Sequence, residues 1–171
     1  QKDHTTLLRA FARVRERVPE ARLAILGSGP LEFETRALAA TLGVDDAVVL
    51  PGRTEVRDWL ERADAFVHTS RWEGFGIVLL EAMLASLPVV ATRVSAVPEI
   101  VSHDRTGFLV PPGDAEALAR ELTRVLADRR LAARLGGAGL ERARTEFSVA
   151  RMTERTLAVY RAAGAVAAGE P

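Results

Sequence analysis

The sequence predicts an α/β fold, a Rossmann-like doubly wound parallel sheet with helices on both faces. Three observations predict it. Five short apolar runs recur along the chain up to Pro112, segments of helical periodicity follow them in alternation, and the runs lack the polar alternation of a half-exposed strand. Strands that are apolar throughout are covered on both sides, and ligands on such sheets sit at the strands' carboxyl ends.

Taken in order, Asp3 is a suitable N-cap, and Leu7, Leu8, Phe11, Val14 and Val18 recur at helical spacing before Pro19, predicting a helix over about 4–17. The run ARLAILG (21–27) predicts a strand closed by Gly27-Ser28-Gly29-Pro30. Ser28 or Gly29 can cap there, and Pro30 suits the first position of the helix LEFETRALAATLG. The same unit recurs as AVVLPG (47–52) before TEVRDWLERA, and as DAFVHTS (64–70) before a glycine-containing loop and a helix from near Gly76. It recurs again as PVVATRV (88–94) before VPEIVSHD, and ends at TGFLVPP (106–112). Beyond Pro112 the pattern is all helical: Asp114 caps AEALARELTRVLAD, RRLAARL runs to the glycines 136, 137 and 139, then ERARTEF, and Ser148 caps the last helix. Arg120, Arg124, Arg151 and Arg155 alternate with Glu116, Glu121 and Glu154 as solvated faces.

The chemistry concentrates in Arg71-Trp72-Glu73-Gly74-Phe75-Gly76-Ile77-Val78-Leu79-Leu80-Glu81. Gly74 and Gly76 permit backbone conformations that other residues resist, and they let a ligand approach the main chain. The helix that starts near Gly76 has no Asp or Glu in its first turn, so its unpaired N–H groups and positive dipole end suit an anion such as a diphosphate. Glu81 lies within an apolar helix, where a buried carboxylate needs partners such as the two hydroxyls of a ribose. The competing structural reading pairs Glu81 with a cation such as His68 and leaves Glu73 in solvent. Trp72 is suited to stack on a sugar or to pack the loop, Trp59 reads as core, and His4, His68 and His103 are too scattered for a histidine-based triad. The GSGP turn lacks the third glycine of a dinucleotide fingerprint, since Glu32 and Phe33 follow, and this argues against a nicotinamide dehydrogenase.

The ordered set Lys2 with LLRAF, LAILGSGP, VVLPGR, ADAFVHTS, EGFGIVLLEAMLASLPVVAT with seven residues between its glutamates, VPEIV, TGFLVPPGD and FSVARM resembles the nucleotide-sugar-binding, C-terminal half of retaining glycosyltransferases of family four, with the GT-B fold. The resemblance implies that Glu73 faces the transferred sugar and that Gly74, Phe75, Gly76 and Ile77 present backbone amides to sugar and phosphate. It implies that Glu81 holds the ribose and Lys2 contacts the diphosphate, while Arg53 and Thr54 lie where the nucleobase is met and Gly27 turns beside the ligand. An arginine that the family places before this lysine lies outside the chain as given. Leu87 and the pair Ser95-Ala96 stand where the family often has glycines.

Composition narrows the alternatives. Twenty-three basic and 23 acidic residues cancel, which argues against a single-sign field built for nucleic acid. Zero cysteines exclude disulfides, thiolate metal sites and a cysteine nucleophile. Arginine almost replaces lysine and alanine is abundant, which reads as the codon bias of a GC-rich bacterial genome. No signal-peptide pattern or apolar run of membrane-spanning length is present, so the expected location is cytoplasmic, membrane-peripheral at most in the full enzyme. The expected organisation is one donor-binding domain over 1–162, whose helix 148–162 crosses to an absent N-terminal acceptor domain, and a flexible tail over 163–171. The donor is expected to be a nucleoside-diphosphate sugar of UDP or GDP type, with no obligatory cofactor and with Mg2+ compatible but not required. Self-association of the isolated domain is expected as well. The alternative is a non-catalytic nucleotide-binding or protein-interaction domain of the same fold.

Overall fold

The computed structural model describes residues 1–167, with side chains through Gly164. Its elements alternate as α1 (His4–Arg15), β1 (Leu23–Leu26), α2 (Glu32–Thr41), β2 (Val48–Gly52), α3 (Val56–Leu60), β3 (Phe66–His68), α4 (Ile77–Leu84), β4 (Val89–Thr92), α5 (Val97–Ile100) and β5 (Gly107–Val110). Three helices close the chain: α6 (Ala115–Ala127), α7 (Arg129–Glu146) and α8 (Val149–Ala167). All strand pairings are parallel, as the covered, apolar strands require. The hydrogen-bonded ladder is divided, however, into β1 with β2 and β3–β4–β5. The two ladders share a core, because Val67 of β3 packs against the cluster formed by Leu23, Ile25 and the α1 side chains Leu7, Leu8 and Phe11.

The double winding is visible residue by residue in β4 and β5. Val89, Ala91 and Leu109 face Leu79, Ala82 and Met83 of α4 and Val97 and Ile100 of α5. Their neighbours Val90, Phe108 and Val110 face Ala10 and Val14 of α1 and Leu118, Leu122 and Val125 of α6. Successive side chains of a strand point to opposite faces, so two helical layers bury all four residues of each strand.

Several sequence expectations move. α2 begins two residues after Pro30, with Leu31 at its N-cap and no side-chain cap. α3 and β3 are shorter than the patterns suggested. The helix expected to end at the glycines runs through them as one 18-residue α7. Gly136 is required there by close approach: a Cβ at this position would overlap the Ser86 carbonyl oxygen at the end of α4. Glu121, expected on a solvated face, is buried between Arg120 and Arg124, and the Arg124 guanidinium also covers the Phe108 ring at 4.7 Å. The last helix is capped by Ser148, whose Oγ accepts from the Arg151 N–H, and it continues past the expected boundary at 162 to Ala167. Residues 168–171 of the expected tail lie outside the described residues.

Candidate functional site

α4 follows the carboxyl end of β3 and packs on β3 and β4, and its sequence leaves its N-terminus open. Gly76 takes φ +89°, and a Cβ there would sit 3.0 Å from Leu79 Cδ1 and 3.3 Å from Glu73 Cγ, so glycine is required twice over. No side chain caps the helix and no acid occupies its first turn, which leaves the leading N–H groups and the dipole unneutralised by protein. Gly74 differs: it is exposed, outside the left-handed region, and has open space where a Cβ would go. The backbone conformation therefore does not explain glycine at 74. Phe75 is half exposed and meets Phe147 with ring centroids 6.3 Å apart, and Ile77 and Trp72 are exposed.

One turn before the helix, a polar cluster is built around Glu73. Its Oε2 lies 2.9 Å from Lys2 Nζ and 3.1 Å from His68 Nε2, while its backbone N–H donates to Ser95 Oγ. Lys2 is brought there by stitching between the first residues and the segment after β3. Thr69 Oγ1 donates to the Lys2 carbonyl at 2.7 Å, the Arg71 N–H donates to the Gln1 carbonyl at 2.9 Å, and Arg71 Nε donates to Asp3 Oδ2. Asp3 at the same time caps α1 through the Thr6 N–H and hydroxyl. The Lys2 hydrogen bond, with His68 adding to it, holds the Glu73 carboxyl below the usual carboxylate range. Burial pushes the His68 imidazole below its ordinary value, against the opposing pull of Glu73.

Glu81 lies elsewhere than expected. The buried face of α4 is Leu79, Ala82 and Met83, at i, i+3 and i+4, which turns Glu81 and Leu84 outward. Glu81 is exposed rather than buried, and among the described residues it has no hydrogen-bond or ion-pair partner. It lines an open cleft of ≈ 570 Å³ between α3 and α4, together with Thr54, Val56, Leu60 and Leu84. Arg53 and Gly27 gather beside this cleft at the ends of β2 and β1. The Gly27 N–H donates to the Gly52 carbonyl at 2.8 Å and Arg53 Nε donates to Ser28 Oγ at 3.2 Å. The expected residues thus form two groups, Lys2 with Glu73 in the segment before α4 and Thr54 with Glu81 in the cleft between α3 and the later turns of α4.

Sequence reasoning missed His68, Ser70 and Ser95. His68 is the residue that pairs with a glutamate, but with Glu73 and not Glu81. The signal available was its place as the polar last residue of an apolar strand, five positions before Glu73. His4 and His103 have local roles, contacting Thr35 Oγ1 and accepting from the Leu109 N–H.

Comparison with known proteins places the chain in a family and supports its fold. The family described as Glycosyl transferases group 1 matches residues 1–142. The chain is 37% identical over 150 residues to the GDP-mannose-dependent alpha-(1-6)-phosphatidylinositol monomannoside mannosyltransferase of Mycolicibacterium smegmatis, covering 81% of this chain and 39% of that protein. The structure of Anabaena HepE in complex with UDP and glucose superposes with a TM-score of 0.85 at 25% identity, over 94% of this chain and 45% of that one. The C-terminal domain of the group 1 family protein LpcC from Francisella tularensis superposes at 0.79, also at 25% identity, over 86% of this chain and 80% of that one. The chain spans between 14% and 42% of the length of the curated relatives it matches.

Proposed function

The chain belongs to the group 1 glycosyl transferases, and we propose that it is their donor-binding half, which holds a nucleoside-diphosphate sugar for transfer to an acceptor bound on an N-terminal domain. One observation carries this reading: the N-terminus of α4 is uncapped and free of acids, Lys2 and Glu73 pair at 2.9 Å in the segment before it, and Glu81, four residues after Ile77, lines the cleft with Thr54. A nucleoside-diphosphate sugar has a part to suit each. The diphosphate meets the Gly76 and Ile77 amides and Lys2, the sugar lies toward Glu73 and Gly74, and the ribose hydroxyls reach the otherwise unpartnered Glu81. The base extends toward Arg53, Thr54 and the turn at Gly27.

In transfer, the glycosidic bond loosens and negative charge builds on the leaving diphosphate. Amides already aimed at that charge, with the Lys2 ammonium, stabilise it more in the transition state than in the ground state. These groups supply fixed positive charge, so Mg2+ is not obligatory in this scheme. Glu73, ionised through its Lys2 contact, holds sugar hydroxyls on the side where the bond breaks. Transfer of a hexosyl group with retention of configuration is part of the proposal and rests on the family resemblance. The relative named for GDP-mannose and the neighbour that contains UDP and glucose leave both bases in play.

Calorimetric titration with UDP and GDP, with and without chelator, tests the reading. One diphosphate is expected to bind in the presence of chelator, and Glu81→Ala is expected to weaken it about tenfold, the worth of one charge-assisted hydrogen bond. Binding that is unchanged in Glu81→Ala would remove the ribose from this cleft.

A further inference from the structure

His68 is the one buried group at the site whose chemistry the donor scheme leaves unused. Its side chain is 5% exposed, and Nδ1 is the only buried side-chain nitrogen or oxygen among the described residues without a hydrogen-bond partner. Nε2 faces the Glu73 carboxylate oxygen at 3.1 Å and Ser70 Oγ at 3.2 Å. An ionised carboxylate only accepts, so the imidazole proton must sit on Nε2. A bare Nδ1 lone pair then occupies the apolar side, which costs less than burying a charged imidazolium with an unpaired N–H there. The strand fixes the ring: His68 pairs with Ala91 in the β3–β4 ladder, and the chain on either side is tied down by the Thr69 and Arg71 bonds to Lys2 and Gln1.

The consequence falls on Glu73. Its Oε2 is held by Lys2 and His68 together, while Oε1 has no partner among the described residues. Lys2 is the flexible, half-exposed donor of the two and is the group the diphosphate would recruit. Once Lys2 turns to phosphate, His68 is the remaining donor that fixes the carboxylate and keeps Oε1 aimed outward. We infer that His68 is a positioning residue for the donor sugar: its neutral Nε2–H clamps Glu73 so that the free carboxylate oxygen receives a sugar hydroxyl. This rests on the donor-binding reading above, and it assigns the sugar's share of recognition, as distinct from the nucleotide's, to a second residue behind Glu73.

The test compares UDP with UDP-glucose, and GDP with GDP-mannose, by calorimetry on wild type, His68→Phe and His68→Gln. Glutamine places an amide N–H near the position of Nε2, whereas phenylalanine keeps the ring and loses the donor. In the pair that binds, His68→Phe is expected to weaken the nucleotide-sugar about tenfold and the bare diphosphate less than about twofold, with His68→Gln restoring most of the loss. An equal loss for both ligands, or no loss for the sugar, would overturn the clamp and leave the donor reading intact. Absence of diphosphate binding in wild type would overturn both. If His68→Phe does not fold, imidazole ¹⁵N shifts of the wild-type chain decide instead. A protonated Nε2 with a bare Nδ1 that responds to Glu73→Gln is the expected signature, and an Nδ1–H tautomer would refute the clamp.

Discussion

At Gly74 and Gly76 the same residue type is used for two different physical reasons, and substitution separates them. Gly76→Ala forces a side chain into left-handed backbone against Leu79 and is expected to cost about 1–2 kcal/mol in a denaturant melt. Gly74→Ala has room for its methyl and is expected to leave the melt within about 0.5 kcal/mol while weakening nucleotide-sugar binding, because under the proposed function the ligand fills that open space. Loss of stability at 74 with unchanged binding would contradict this assignment. The ionisable groups add a dependence on acid. His68 and His4 are both pushed down mainly by burial, so the unfolded chain takes up protons first and stability falls as pH drops below about 6.5. Glu73, held down chiefly by the Lys2 bond, adds a second loss at lower pH, where its carboxylate becomes protonated in the fold. Asp3 acts in the same sense, because hydrogen bonds from Thr6 and Arg71 outweigh the upward push of its burial. Melting temperatures between pH 8 and 3 should therefore fall in two stages, and a flat profile from pH 8 to 5 would refute the histidine contribution. The roles given to Lys2, Glu73 and Glu81 rest on the family resemblance, and Glu81 stands exposed where a buried carboxylate was expected, whereas the glycine loop before an acid-free helix start was itself legible. The pairing of Glu73 with His68 was not, since it depends on which face of a three-residue strand is covered.

The elements themselves were legible wherever apolar periodicity alone decided them. The five strands, with β3 shorter than its run, and the Asp3, Asp114 and Ser148 caps stand where the pattern put them. Elements set by contacts distant in sequence were not legible. Glycines in a row read as a break, yet α7 continues through them, and α4 packs across it there, with the Ser86 carbonyl filling the place of a methyl at Gly136 and the Met83 side chain in ordinary contact with Gly139. Likewise, Glu81 read as buried because its helix is apolar, but α4 has only one packed face and α3 is too short to cover the other. The α4–α7 crossing lies behind the helix that the proposed function uses for the diphosphate, which gives it a measurable consequence. Gly136→Ala, clashing with backbone that has no free rotamer to yield, is expected to destabilise the chain by about 2–3 kcal/mol and to weaken diphosphate binding by shifting α4. Gly137→Ala, with nothing near its Cβ, is expected to be neutral or slightly stabilising through helix propensity. Equal melts for the two variants would show that the crossing is looser than the structure has it.

For the molecule as a whole, the unbalanced element is α8. Every residue described along it is exposed, including Val149, Met152, Val159 and Tyr160, which fall on a stripe about 100° wide at helical spacing. A helix with an apolar stripe and no layer to cover it is an interface, and under the proposed function its partner is the acceptor-binding domain that the longer relatives have room for. The joint at its base touches the glycine loop before α4. Phe147, between α7 and α8, contacts Phe75 of the glycine loop, and Arg142 beneath it holds the Glu99 and Ile100 carbonyls and lies 5.5 Å from the Phe147 ring. The base of α8 and the loop at Gly74–Gly76 therefore share one aromatic contact. In the 171-residue chain by itself, the uncovered stripe has only other copies to bury it, so self-association is expected to appear in light scattering as a mass that rises with concentration. Met152→Glu with Tyr160→Glu is expected to abolish that rise without lowering the melting temperature, since neither side chain packs on the core. A monomer mass at all concentrations in the unsubstituted chain would mean that the stripe is tolerated in water, and α8 would lose its standing as the contact to the second domain.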